Sequence, residues 1–328
     1  MNDVRNILLL RLKSIGDVVL ALPAVNLVRD NFPQARISFL TSKENIAMVS
    51  GCAAVDEIIA LDRAAYRRKD FKAICAGTFE LVRRLRRERF SLAVDFQGYG
   101  ETALLTWLTR APRRWGSVYR RGRRWAYTQG VTRAANLHPV EWNRRLLIEC
   151  GLKPMPARNE FVLPEAEIQS ARQFLAAHGC DSAQPVLYLQ PFTSSPQKNW
   201  PMEHYLALAN HWRARGVQVM FGGGPADLAA LEPARRAGFV VAAGVPRLTD
   251  AGLMKLSTLI VGGDTGFLHL AVALGQRVLM LMTLSGEGSA IPFGHPDWVV
   301  TPRSESPVAA IGLEKVVRAS AEAFLVKS

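Results

Sequence analysis

Short apolar runs alternate with longer stretches of helical periodicity, and that alternation restricts the chain to parallel sheets covered by helices on both faces. In the first half the runs fall at residues 6–10, 37–40, 55–59 and 92–95. Helical periodicity spans 18–30, 47–50, 79–89, 102–110 and 140–150, and Pro23 is expected to kink the first of these. Pro154, Pro156 and Pro164 then mark a linker near residues 151–164. Beyond it the pattern restarts, with strands expected at 186–190, 217–221, 239–242, 259–261 and 278–282. Helices are expected at 165–178, 202–215, 227–237 and 309–326. A chain of 328 residues is long enough for two domains. The reading is an α/β chain of two Rossmann-like domains, 1–160 and 161–328, facing across a cleft. Ligands of open α/β sheets sit at the carboxyl ends of the strands, so such a cleft would gather the turns that follow them.

The most informative turn lies in Leu259-Ile-Val-Gly-Gly-Asp-Thr-Gly-Phe-Leu-His-Leu-Ala-Val-Ala-Leu-Gly275. An apolar run ends at two glycines, and Asp264 or Thr265 can cap a helix whose apolar face is Leu268, Val272 and either Ala271 or Gly275. Unpaired amides and the helix dipole make that point attractive to an anion. Gly266 lets a phosphate approach closely, and His269, one turn on, can donate to it. An ordinary capped helix with a packed core histidine fits the same residues.

The 41 lysines and arginines outnumber the 28 acids, and the excess is confined to one half. Residues 1–160 hold 28 basic against 15 acidic residues, and residues 161–328 hold 13 of each. The first half is therefore expected to meet an acidic partner: nucleic acid, an anionic lipid surface or a phosphorylated glycan. Arg110–Trp125 interleaves arginines with aromatics and suits any of these, or solvent. No apolar run is long enough to span a membrane, and the start lacks a signal-peptide core. Cys52, Cys75, Cys150 and Cys180 are scattered, as free thiols in a reducing cytosol would be, and no metal site is expected.

Among side chains that could do chemistry, Asp17 follows the first strand in a Ser-Ile-Gly-Asp turn, as a helix cap or as a general base. Lys198 lies in a loop after a strand, where a diphosphate needs a cation, and Thr193, Ser194 and Ser195 offer hydroxyls nearby. The glycines 222–224 suit a tight turn or a phosphate. Absent motifs disfavour a simple nicotinamide dehydrogenase and exclude a P-loop ATPase, and no nucleophile elbow of the Gly-x-Ser-x-Gly kind is present. No Asp-x-Asp pair is present to hold a divalent ion, so leaving-group charge falls to Lys198 and the helix N-terminus.

Taken in order, these segments resemble the glycosyltransferase family that contains the lipopolysaccharide heptosyltransferases. The likeness runs through Arg11-Leu-Lys-Ser-Ile-Gly-Asp17, Val94-Asp-Phe-Gln-Gly98, Arg114-Trp-Gly116 and His138-Pro-Val-Glu141. It continues through Lys198-Asn-Trp-Pro201, Gly222-Gly-Gly-Pro-Ala-Asp227 and Gly263-Asp-Thr-Gly-Phe-Leu-His-Leu-Ala271. The resemblance implies a GT-B type fold and a metal-independent, inverting transfer of heptose from an ADP-sugar to the phosphorylated inner core of lipopolysaccharide, with no further cofactor. By motif, Asp17 would be the base. Lys198, Asp264, Thr265, Gly266 and His269 would hold the donor diphosphate, with Thr193 and Ser194 beside them and Val245 at the nucleobase. Arg63, Arg67, Arg68 and Arg114 would meet the acceptor. The implied location is cytoplasmic, peripheral on the inner membrane, and nucleic acid is not an expected partner. Thr283-Leu-Ser-Gly-Glu-Gly288 departs from the family's Gly-Pro-Thr-like turn, and for the ribose the nearest acid is Asp227. Two alternatives stay open: a nucleotide-sugar epimerase on the same fold, and a non-catalytic binder of polyanions or membranes.

Overall fold

The structure is a computed structural model that describes residues 3–63, 70–181, 183–283, 286–303 and 306–325, without the side chains of 71–73 and 75. It divides into two compact units, Met1–Glu160 and Phe161–Ser328.

In the first unit the strands are β1 (Asn6–Leu10), β2 (Arg36–Ser42), β3 (Glu57–Leu61), β4 (Leu92–Asp95), β5 (Arg113–Val118) and β6 (Gln129–Thr132). They form one sheet in the order β3-β2-β1-β4-β5-β6, and every pair is parallel. The helices are α1 (Ile15–Val19), α2 (Leu22–Asn31), α3 (Ala47–Ser50), α4 (Phe71–Arg87), α5 (Gly100–Leu108) and α6 (Pro139–Glu149). Ile7, Leu8, Leu9 and Leu10 are all fully buried, as a strand covered on both faces requires.

The second unit repeats the plan. Its strands β7 (Val186–Gln190), β8 (Gln218–Gly223), β9 (Val240–Ala243), β10 (Leu259–Gly263), β11 (Val278–Leu281) and β12 (Val299–Val300) are parallel in the order β12-β11-β10-β7-β8-β9. The helices are α7 (Glu165–Ala177), α8 (Met202–Arg213), α9 (Glu232–Arg236), α10 (Arg247–Lys255), α11 (Gly266–Ala273) and α12 (Leu313–Leu325). Alternate residues of these strands enter different cores. Leu187, Leu189, Val261 and Leu279 pack into one cluster, and Val186, Tyr188, Ile260 and Met280 into another. The sheet is therefore filled on both sides.

Several boundaries differ from the sequence reading. The helix expected over 18–30 is two helices, because Pro23 sits at the second position of α2, where its missing N–H does no harm. The helix expected over 227–237 shrinks to α9 after a 3-10 turn at Pro225–Asp227. The basic run 110–125 is no single element: its first part is β5, and only Arg121–Ala126 forms a 3-10 segment.

Each sheet has a switch point where the strand order reverses, between β1 and β4 in one unit and between β7 and β10 in the other. The loops at those two places carry the polar side chains of interest.

Candidate active site

At the first switch point β1 runs into Arg11, Leu12, Lys13 and Ser14, and α1 begins. Gln97, just past β4, holds this loop by accepting the Leu12 and Lys13 amides on Oε1 at 2.9 and 3.1 Å. Asp17 Oδ2 accepts the Ser14 amide and hydroxyl, both at 3.0 Å. Its Oδ1 faces Arg11 Nη2 at 2.7 Å, and Arg11 is itself buried and anchored by Nη1 to the Phe96 carbonyl at 2.7 Å. Burial alone would raise the Asp17 pKa. The Arg11 charge and the Ser14 donors outweigh it and hold the carboxyl below its ordinary value. Asp17 is thus an ionised, oriented carboxylate at the carboxyl end of β1, both capping α1 and able to take a proton. Beside it, Lys13, Ser14, Ser42, Asn45 and Arg63 line a cavity of about 430 Å³.

Arg63 lies in that cavity wall and pairs with Glu101 at 3.4 Å. Arg67 and Arg68 lie outside the described residues. Arg114 departs from the expectation. It sits near the amino end of β5, away from the carboxyl edge, and its guanidinium donates to the Ala111 and Ala126 carbonyls. Its charge serves the fold there, so it drops out of the acceptor set.

At the second switch point, Lys198 follows β7 and Asp264 follows β10. Lys198 Nζ lies 2.7 Å from Asp264 Oδ2, and His269 Nε2 lies 3.3 Å from Asp264 Oδ1. Burial opposes the charge on Asp264, but the hydrogen bonds from His269 and Lys198 prevail and hold its pKa at about 2. His269 is buried, and its Nδ1 has no partner among the described residues. Thr265 caps α11, its hydroxyl accepting from the Leu268 amide at 3.4 Å. The amides of Gly266 and Phe267, in the first turn, have no intrahelical acceptor. Lys198, Asp264, Met282, Thr283 and Ser289 border a cavity of about 270 Å³.

This geometry changes the part given to Asp264. A carboxylate held at so low a pKa would repel a diphosphate; here it contacts Lys198 and His269 and fixes where both side chains point. With Lys198 half exposed, the pair contributes under about 1 kcal/mol to stability, so an incoming anion can take the ammonium at little expense. Thr193 is also less available than expected. Its amide donates to Asn199 and its hydroxyl to the Ser195 carbonyl, closing the loop, whereas Ser194 is exposed with no hydrogen bond among the described residues. Val245 follows β9 at the carboxyl edge, partly buried against the core. Gly222 and Gly223 end β8, and Asp227 accepts the Gly224 amide at 2.8 Å, so only Gly224 of the glycine run opens the 3-10 turn.

Sequence reasoning missed Arg11, whose spacing of six from Asp17 fits no helical register; only the break between strand and helix brings the two together. It also missed α10, which is nine residues long and buries the polar Thr249 and Asp250 together with its apolar residues, so residue polarity misstates its inner face.

A sequence profile of glycosyltransferase family 9 (heptosyltransferase) matches residues 78–308. The lipopolysaccharide heptosyltransferase 1 of Pseudomonas aeruginosa is 27% identical over 299 residues, covering 88% of this chain and 81% of that protein. Two solved structures share the fold. A glycosyl transferase family 9 protein from Veillonella parvula superposes with a TM-score of 0.89 at 19% identity, covering 98% and 97% of the two chains. The E. coli heptosyltransferase WaaC with ADP-2-deoxy-2-fluoro heptose gives 0.77 at 20% identity, covering 97% and 99%. With the profile spanning most of its length, the chain belongs to glycosyltransferase family 9, the heptosyltransferases.

Proposed function

We propose that the protein transfers heptose from an ADP-linked donor to the phosphorylated inner core of lipopolysaccharide, with inversion and without a metal ion. The acceptor hydroxyl oxygen attacks the anomeric carbon as its bond to the diphosphate oxygen breaks. The bonding pair leaves with ADP, and the hydroxyl proton passes to Asp17. Lys198, the free amides at the start of α11 and His269 meet the charge that builds on the diphosphate, the part a divalent ion would otherwise play. Ser194 and Val245 complete the donor side. Arg63, with Arg67 and Arg68, meets acceptor phosphate.

The observation that carries this reading is the pairing of opposite chemistries at equivalent places: a fixed carboxylate at one switch point, an ammonium beside a capped helix start at the other. The ADP-sugar assignment rests on the donor analogue named for the E. coli structure, and the acceptor on the names of the relatives. An acceptor of that kind places the enzyme at the cytoplasmic face of the inner membrane. Incubation with ADP-heptose and a truncated lipopolysaccharide core should yield one glycosylated product and ADP. UDP- and GDP-linked sugars should be poor donors. ADP-heptose alone should stay unchanged, and its conversion to an epimer without acceptor would count against transfer.

A further inference from the structure

We propose that the face formed by α5, the end of α4 and the 3-10 segment Arg121–Ala126 docks on an anionic lipid bilayer. Helix α5 turns Leu104 and Trp107, 45% and 47% exposed, outward from the first unit. Trp125, 55% exposed, meets Trp107 edge to face at a ring separation of 5.7 Å. Arg86 on α4 donates to the Leu108 carbonyl at 3.2 Å, which ties α4 to the end of α5. Phe79, 71% exposed, lies two turns earlier on the same helical stripe as Arg86. Leu104, Trp107 and Trp125 are exposed apolar side chains on adjoining segments, and a patch of that kind marks a contact surface.

The surrounding charge selects the occupant. Residues 96–133 contain eight arginines and a single acid, Glu101, which is paired with Arg63. Arg110, Arg120 and Arg121 are exposed and form no ion pair among the described residues. A second copy of the chain would set arginine against arginine across a two-fold axis. A nucleic acid needs cations along its track, yet the outward stripe of α5 carries none. Tryptophans at the centre with arginines at the rim suit the headgroup region of an anionic membrane, where indole rings settle at the interface and guanidinium groups meet lipid phosphate. Arg123 Nη1 donates to the Gly98 carbonyl at 3.0 Å, two residues from the Phe96 carbonyl that anchors Arg11. The lipid-facing surface is thereby linked to the loop that carries Asp17.

The docking surface lies outside the transfer site, and its test requires no sugar donor, so failure of one reading leaves the other standing. The full chain is sedimented with vesicles of phosphatidylcholine alone or mixed with phosphatidylglycerol. Binding is expected for the mixed vesicles only. Trp107→Ala combined with Trp125→Ala should lower the partition coefficient at least about ten-fold, with thermal unfolding unchanged. Leu104→Glu, on the same exposed stripe, is the second variant and should do likewise. Arg120→Ala with Arg121→Ala should weaken binding and flatten its dependence on salt. Wild-type protein that ignores anionic vesicles, or tryptophan and Leu104 variants that bind as wild type does, would overturn the proposal. So would loss of self-association or of single-stranded DNA binding in the variants while vesicle binding persists.

Discussion

Arg11 Nη2 stands 2.7 Å from Asp17 Oδ1, and the same guanidinium is pinned to the Phe96 carbonyl beyond β4. The candidate base is therefore oriented and kept ionised by a buried cation. Asp17 has a pKa below the ordinary carboxylate value, so its proton-accepting form persists as pH falls through the usual carboxylate range. Arg11→Ala removes the leading influence that lowers it, while burial still raises it. The acidic limb of kcat/KM should move to higher pH in that variant, and an unmoved limb would separate Arg11 from the base.

Lys198 and Asp264 should respond differently to substitution, since in the proposed reaction the ammonium meets the diphosphate and the carboxylate only positions that ammonium. Lys198→Ala should weaken ADP binding at least about ten-fold, a loss of about 1.4 kcal/mol, measured by calorimetry. Asp264→Asn should alter ADP affinity less than this and lower turnover more, because Lys198 and His269 lose their common anchor. Equal loss of affinity in both variants would contradict that division.

Gly263→Ala tests how the donor loop is seated. A Cβ at Gly263 would lie 2.5 Å from Thr193 Cγ2 and 3.0 Å from the Lys198 carbonyl oxygen. Relief requires the loop to move, so ADP affinity should drop, and overpacking of this kind typically destabilises by about 1–3 kcal/mol. Unchanged affinity would mean that the loop's position does not set donor binding.

Asp250 supplies a pH test of stability. It is buried on α10, accepts the Tyr188 hydroxyl, and burial raises its pKa to about 7 against that hydrogen bond. Between the ordinary value of 3.8 and about 7, the folded state keeps a proton that the unfolded chain releases. Stability therefore falls as pH rises through that window and levels off above it. In Asp250→Asn the decline in Tm from pH 5 to pH 8 should be smaller than in wild type. An identical decline would show that this carboxyl does not titrate there.

The alternation of strands and helices is legible because buried parallel strands are short apolar runs, and both sheets appear where those runs fall. Strands β5, β6 and β12 are not legible: Arg113–Val118 begins with two arginines, Gln129–Thr132 carries one large apolar residue, and Val299–Val300 is two residues long. The turn from Gly263 to His269 is readable because capping and glycine chemistry are local. Lys198 with Asp264 is a tertiary meeting fixed by strand order, and Arg11 meets Asp17 only across the break between β1 and α1; neither follows from a helical or strand spacing. Arg114 misleads for the opposite reason, because its neighbours in sequence fit a motif while its side chain braces the amino end of β5.

The central claim is that Asp17 takes the acceptor proton. The direct measurement is turnover of Asp17→Asn with ADP-heptose and a lipopolysaccharide core acceptor, alongside ADP affinity of the same preparation. Loss of a general base should lower kcat by at least about a hundred-fold, with ADP affinity near that of wild type. Turnover within a few-fold of wild type would contradict it.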